Sequence, residues 1–287
     1  MKKRLDIVFD SSVRSEWIRH IVEYREQIEC GCDELHILVT NAITLSIFEP
    51  IHFVTLSCLI DVAKKQGALI WLVIEDSKLN SFVLNDVRLT SYWKEARTPN
   101  YQAPEQKTYN LWRINDKFSY GYTTALNSYF QNQFFKGKDL SGLNNCIAEL
   151  FQNVFDHAEA NGTAFSYIEY KENEGIINIA VCDFGRGIPE TLKKQYPNEK
   201  EALEKSLQHG ITAGSQRHNK GYGMENILST MTKEDTMRIV SNHAILYQHD
   251  RVRQLYDLEY NFQGTLLYMT IRIDSFPDEE IMDSFTF

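Results

Sequence analysis

At 287 residues and 43% hydrophobic, the chain suits one large domain or two modest ones and can bury a sizeable core. A formal charge of -9 excludes a general binder of nucleic-acid backbones, which needs a net basic surface, and leaves room only for a local basic patch. The five cysteines show no zinc-like spacing, Cys30 and Cys32 being the only close pair, so reduced thiols are expected.

Met1 to Asp6 is basic but carries no long apolar stretch behind it, so no signal peptide is expected. Residues 13 to 29 place Val13, Trp17, Ile21, Tyr24 and Ile28 at helical spacing, predicting an amphipathic helix packed by one face. Leu35 to Val39 is rich in branched residues and predicts a strand. Phe48 to Lys65 predicts a helix, with Ile51, Val54, Leu56, Leu59, Ile60 and Ala63 recurring at threes and fours, Lys64 and Lys65 at its C-terminal end and Gly67 as its stop. Ala68 to Ile74 is the longest apolar run. It is too short to cross a bilayer and predicts a strand buried on both faces. Strand, helix and strand describe a small α/β domain over residues 1–100. Residues 97 to 108 hold two prolines and almost nothing apolar, which places a domain boundary there and a second domain over 108–287.

From Asp139 to Ala158 an apolar stripe of Leu143, Ile147, Leu150 and Val154 predicts a helix. Glu149, Asn153 and His157 fall on another face at four-residue steps. That face is either simply solvated or chemical: a carboxylate can orient and deprotonate a water, and an amide oxygen one turn on is a hard ligand suited to magnesium. Thr163 to Tyr170 and Ile176 to Asp183 predict two strands joined by the charged turn Lys171 to Gly175, with Ile177, Ile179 and Val181 on one face and Asp183 at the exit. Gly185 and Gly187 would let the backbone pass close to a ligand and take unusual torsions.

Glu190 to Lys220, polar and hinged by Gly210 and Gly214, predicts a loop that closes over a ligand, with a helical piece around Glu201 to Gln208. Thr212, Ser215, Arg217 and Lys220 are its candidate phosphate contacts. Gly221 and Gly223 then open a helix, Met224 to Met231, whose free N–H groups favour anions. Met237 to Val240 and Leu266 to Ile273 predict further strands. In the second, Leu267, Met269 and Ile271 share a face, as in a sheet packed on one side. Asp274 to Phe287 predicts a frayed tail, with a short docking strip as the alternative.

Taken in order, Glu149-Leu-Phe-Gln-Asn153, Asp183-Phe-Gly185-Arg-Gly187, Gly221-Tyr-Gly223 and Gly264-Thr265 resemble the ATP site of the GHKL superfamily of gyrase, heat-shock chaperones, histidine kinases and MutL. The resemblance spans roughly residues 110 to 273 and implies an α/β protein whose C-terminal part is a two-layer α/β sandwich of the GHKL (Bergerat) type. It implies ATP and magnesium as cofactors, Glu149 as the water-activating base and Asn153 as the metal ligand. Asp183 would accept a hydrogen bond from the adenine amino group, with Gly185, Gly187, Lys220, Gly221, Gly223 and Thr265 completing the nucleotide site. Retention of Glu149 favours hydrolysis or serine/threonine kinase chemistry over a histidine kinase.

The N-terminal segment faintly resembles the STAS domains of anti-anti-sigma factors, but Asn41 to Ser46 lacks their Asp-Ser-Ser/Thr-Gly turn. The functional expectation is a cytoplasmic ATP-hydrolysing switch, with an anti-sigma-type kinase or a non-catalytic nucleotide-sensing module as alternatives. Its expected partners are ATP and an unidentified protein, with a homodimer possible by resemblance. General nucleic-acid binding and membrane association are not expected.

Overall fold

The computed structural model describes residues 2–89, 108–114 (backbone only), 124–125, 128–132, 135, 137–145, 147, 163–207, 228, 231–250 and 252–278. At the N-terminus, β1 (Arg4–Phe9), α1 (Arg14–Glu29), β2 (Glu34–Val39), α2 (Pro50–Lys65) and β3 (Leu69–Ile74) alternate, and the strands form a parallel sheet in the order β1-β2-β3. Parallel neighbours need a crossover, which each helix supplies. Pro50 suits the first turn of α2, where its missing N–H costs no helical bond. A short helix, α3 (Ser77–Ser81), follows β3 and starts on an Asp76 side chain that accepts the Leu79 N–H.

The inward face of this sheet packs Ile7, Phe9, Leu35, Ile37 and Val39 against the two helices. Trp17 ties three elements together: its ring stacks on Phe9 at 4.1 Å and its indole N–H donates to Thr55 Oγ1 at 2.8 Å. The β1 strand was not expected from the sequence, although Leu5, Ile7 and Phe9 alternate through it. The expected two-sided burial of the Ala68 to Ile74 run is incorrect. β3 is an edge strand whose outer face leaves Leu69, Trp71 and Val73 each more than half exposed. An apolar run fixes neither how many faces are covered nor by what.

The second sheet consists of β4 (Thr108–Ile114), β5 (Ala164–Lys171), β6 (Ile176–Asp183), β7 (Thr236–His249) and β8 (Val252–Arg272). Every pairing is antiparallel and the order is β4-β5-β6-β8-β7. Between β6 and β7 the described residues include the helices α4 (Ile188–Leu192) and α5 (Glu199–Lys205). The protein is therefore α/β, with an N-terminal parallel sheet and its helices followed by an antiparallel sheet packed against helices.

Both faces of the antiparallel sheet are covered, and alternation sorts its residues between two cores. Ile177, Ile179, Val181, Leu267, Met269 and Ile271 pack with Phe130, Leu143 and Ile147 and with Leu203 of α5. The intervening Ala180, Cys182, Leu266 and Tyr268, with Phe165 and Tyr167 of β5, join the core that contains α1 and α2. The expected one-sided packing of Leu266 to Ile273 is thus corrected: α2 lies between the two sheets. That position explains why residues 50–61 of α2 are all buried instead of forming a single stripe.

β7 and β8 run far beyond the short strands expected, as a long ribbon with register shifts around Asn242. Beyond the register shift β7 buries Ala244 and Leu246 in the core shared with Leu203, whereas the facing Val252 to Asn261 of β8 are exposed or half-buried and mix polar with apolar residues. Phe276 is buried and Pro277 O accepts the Asp139 N–H at 2.8 Å, so the chain is docked through Asp278 and not frayed from Asp274 onward. The expected boundary at 97–108 and helix at 224–231 fall largely outside the described residues. No described helix is long and apolar enough to cross a membrane.

Candidate functional site

β6 delivers Asp183 to its C-terminal end, where it pairs in register with Thr265 of β8. Thr265 is in turn opposite Ser241 of β7. The three side chains form a row across adjacent strands, on the face shared by Ile179 and Leu267 and packed by Leu143 and Ile147. Helical residues 141–145 and 147 lie on this same face and lead in sequence towards Glu149.

Asp183 is buried, and Oδ1 accepts the Gly185 N–H at 2.8 Å. Burial pushes its carboxyl up to about 7. The Gly185 amide, the nearby Arg25 guanidinium and the Thr265 backbone N–H oppose that rise without cancelling it. Arg25 lies on α1 and does not pair with the carboxylate. Its guanidinium donates to the carbonyls of Gln263 and Phe184, stacks over the Phe184 ring at 4.5 Å and pairs with Glu29 at 2.7 Å. A buried acid with no ionic partner among the described residues favours a ligand that brings a hydrogen-bond donor.

The turn after β6 depends on two glycines. Gly187 has φ 90°, and a Cβ there would collide with the Asn242 side chain. Gly264 has φ 129°, and a Cβ there would overlap the Asp183 carbonyl and come within 2.9 Å of the Phe184 Cα. Gly185 is buried in the turn but is not among the glycines with positive φ, so the unusual torsion expected of both glycines belongs to Gly187 alone.

Two residues that the sequence did not single out brace this turn. Ser241 Oγ donates to Gly264 O at 2.6 Å and accepts the Ile188 N–H at 2.9 Å. Asn242, at φ 49°, donates through Nδ2 to Arg186 O at 3.1 Å and accepts the Glu190 N–H at 3.3 Å. The polar Ser-Asn-His interruption in the apolar run from Met237 to Leu246 was the available signal, because such breaks mark bulges. Arg25 left no signal, since nothing local links α1 to residues 184 and 263.

Asp183, Gly185, Gly187 and Thr265 therefore come together. Glu149, Asn153, Lys220, Gly221 and Gly223 lie outside the described residues, as do Thr212, Ser215 and Arg217. The expected closing loop from Glu190 to Lys220 is corrected in its first half. Residues 190–207 are packed structure: Ala202, Leu203 and Leu207 are buried, Lys200 pairs with Asp257 at 2.7 Å, and Glu199 accepts the His243 N–H at 2.8 Å. The expected helical piece is α5, starting at Glu199 because Asn198 caps it by accepting the Glu201 N–H at 3.0 Å.

No protein-family model matches the sequence, and no curated protein is significantly similar to it.

Proposed function

We propose that this chain is a magnesium-dependent ATP-binding and ATP-hydrolysing switch built on a GHKL-type two-layer sandwich, in which closure over the nucleotide controls docking of the N-terminal segment or a protein partner. The observation that carries the reading is Asp183: a buried carboxyl at a strand end, beside Thr265, in a turn that tolerates no side chain at positions 187 and 264. Once ionised, such a group suits an exocyclic amino donor and rejects a carbonyl at the same place, which selects adenine over guanine. The absence of Cβ atoms lets the turn and the start of the adjoining β8 segment approach each other closely and hold the carboxyl in place.

Thr265 Oγ1, 3.5 Å from Ser241 Oγ, adds a hydroxyl that can donate or accept at the base edge. Glu149 would orient and deprotonate the attacking water, Asn153 would hold the magnesium and Lys220 the phosphate end. Magnesium, when bound, neutralises phosphate charge and orients the terminal phosphoryl group.

The test is magnesium-dependent ATP binding and phosphate release for wild type, Asp183→Asn and Glu149→Ala. Glu149→Ala should bind ATP and lose turnover, whereas Asp183→Asn should lose affinity. Normal turnover by correctly folded Glu149→Ala protein would defeat the hydrolytic mechanism.

A further inference from the structure

A cavity of about 930 Å³ lies on the opposite face of the antiparallel sheet from Asp183, between β7–β8 and the loops that follow β1 and β2. Its volume is in the range that encloses a drug-sized molecule. Val240, Tyr247, Tyr260 and Leu266 line it from the sheet, and Ser12, Ile18 and Ile51 from the N-terminal segment. It sits at the carboxyl ends of two parallel strands, the usual place for ligands in α/β sheets.

Its charges are unequal. Arg14 is spent on Glu49, with bonds of 2.7 and 2.9 Å, and on the Tyr268 hydroxyl at 3.1 Å. Arg238 also lines the cavity. It is half-buried, stacked 4.6 Å over the Tyr247 ring, and has no carboxylate partner among the described residues. Two arginines against one glutamate leave a net positive, tyrosine-lined enclosure with one guanidinium fork uncommitted.

We infer that this cavity is a second ligand site, taking a small organic anion with an aromatic body whose acid group engages Arg238 and whose ring packs among Tyr247, Tyr256 and Tyr260. A planar guanidinium already fixed on an aromatic face is pre-set for a bidentate acid group. The inference does not depend on the nucleotide reading, because no residue of that site lines the cavity.

Isothermal titration calorimetry of the full chain with naphthoate tests it, with the neutral isostere naphthalenemethanol as control. The expected result is saturable binding of naphthoate in preference to the neutral compound, weakened at least about tenfold by Arg238→Gln. Ile47→Trp, at a 41% exposed lining position, should narrow the cavity and weaken naphthoate binding without disturbing the core. Circular dichroism confirms the fold of both variants. Failure of the wild type to bind naphthoate, equal binding of the neutral compound, or naphthoate that ATP displaces while Arg238→Gln leaves its binding intact would each overturn the inference.

Discussion

Replacing Asp183 by Asn should raise stability at alkaline pH while weakening nucleotide binding, and the size of the first effect follows from burial. In the unfolded chain the carboxyl ionises near 3.8, and in the folded protein at about 7. Between these values the native state holds a proton that the unfolded chain has released, so wild-type stability falls as pH rises and levels off above 7. At about 1.4 kcal/mol per pH unit, the full interval costs about 4 kcal/mol; at pH 5 only the first part is incurred, about 1.6 kcal/mol. The Asn amide has no proton to lose. It carries a fixed cost of about 1–3 kcal/mol for whichever of its N–H groups lacks a partner. That cost is independent of pH, so the difference between variant and wild type should move by about 3 kcal/mol in favour of Asn between pH 5 and pH 8. Urea denaturation of both proteins at the two pH values measures it. A difference that stays constant with pH would refute the assignment of a carboxyl whose desolvation outweighs its hydrogen bonds. Adenosine, which has no group titrating near neutrality, adds a binding readout: its affinity for wild type should climb with pH towards 7 and then flatten. The variant should bind it weakly and without pH dependence.

The remaining predictions probe the frame around this residue. Arg25→Met removes a cation that lowers the Asp183 carboxyl, so the midpoint of the adenosine pH curve should move upward, with about 1.5–3 kcal/mol lost from its bonds to Gln263 and Phe184. Gly264→Ala should cost about 2–4 kcal/mol in denaturation and abolish ATP binding, because strain at φ 129° adds to overlap with Asp183. Gly137→Ala, at φ 83° but facing open space, should lose only the conformational part, about 1 kcal/mol. His52 is buried neutral: Nδ1 accepts the Glu49 N–H at 2.8 Å, and Nε2 donates to Ser12 O at 3.0 Å. Burial lowers its pKa from 6.5 to about 4. Below 6.5 the unfolded chain takes up a proton that the native state refuses until about pH 4, so about 3 kcal/mol of stability should vanish across that window and none above it. His52→Gln should lack this part of the acid loss, and the His52 ring should titrate below pH 5 by proton NMR.

What the sequence carried legibly was local. β6 was read to the residue because Ile177, Ile179 and Val181 alternate between a glycine turn and an acid. α1 and α2 were placed within two residues by their periodicity and, for α2, by Lys64 and Lys65 at its end and the Gly67 stop. Asp183, Gly185 and Gly187 stand together in the sequence as a carboxylate entering a glycine turn, a pattern that a linear reading can detect, whereas Thr265 entered only through the resemblance. What escaped depends on long-range partners. Nothing in Leu69 to Ile74 tells that only one face of β3 is covered, since that depends on helices elsewhere in the chain. The outer ribbon buries Ala244 and Leu246 of β7, but Val252 to Asn261 of β8 are exposed or half-buried and of mixed polarity, so that strand gives no clean period. The arrangement of residues 199–207 against the β7–β8 ribbon is likewise set by pairs such as Lys200 with Asp257 of β8, which are 57 positions apart.

The placement of α1 and α2 bears on how a nucleotide switch could be felt at a distance. The residues around Asp183 alternate between two cores, so the strand that presents the carboxyl to one face presents Cys182 to the other. There Cys58 of α2 donates its thiol to the Cys182 carbonyl at 3.4 Å, and burial holds both thiols above their ordinary range. Arg25 of α1 grips the main chain on both sides of the pocket floor, at Phe184 and at Gln263. These contacts run directly from the N-terminal helices to the backbone that carries the acid. A ligand that favours the ionised form of Asp183 leaves a charge under the turn, and among the described residues the cation that acts on that carboxyl is Arg25. Closer approach of its guanidinium to that charge would be made at the expense of its bonds to the carbonyls and to Glu29. Since Arg25 is itself nearly buried, α1 has to accommodate that movement. Coupling of this kind requires a difference in contacts between the two states of the site, and the exchange between carbonyl and carboxylate at Arg25 supplies one.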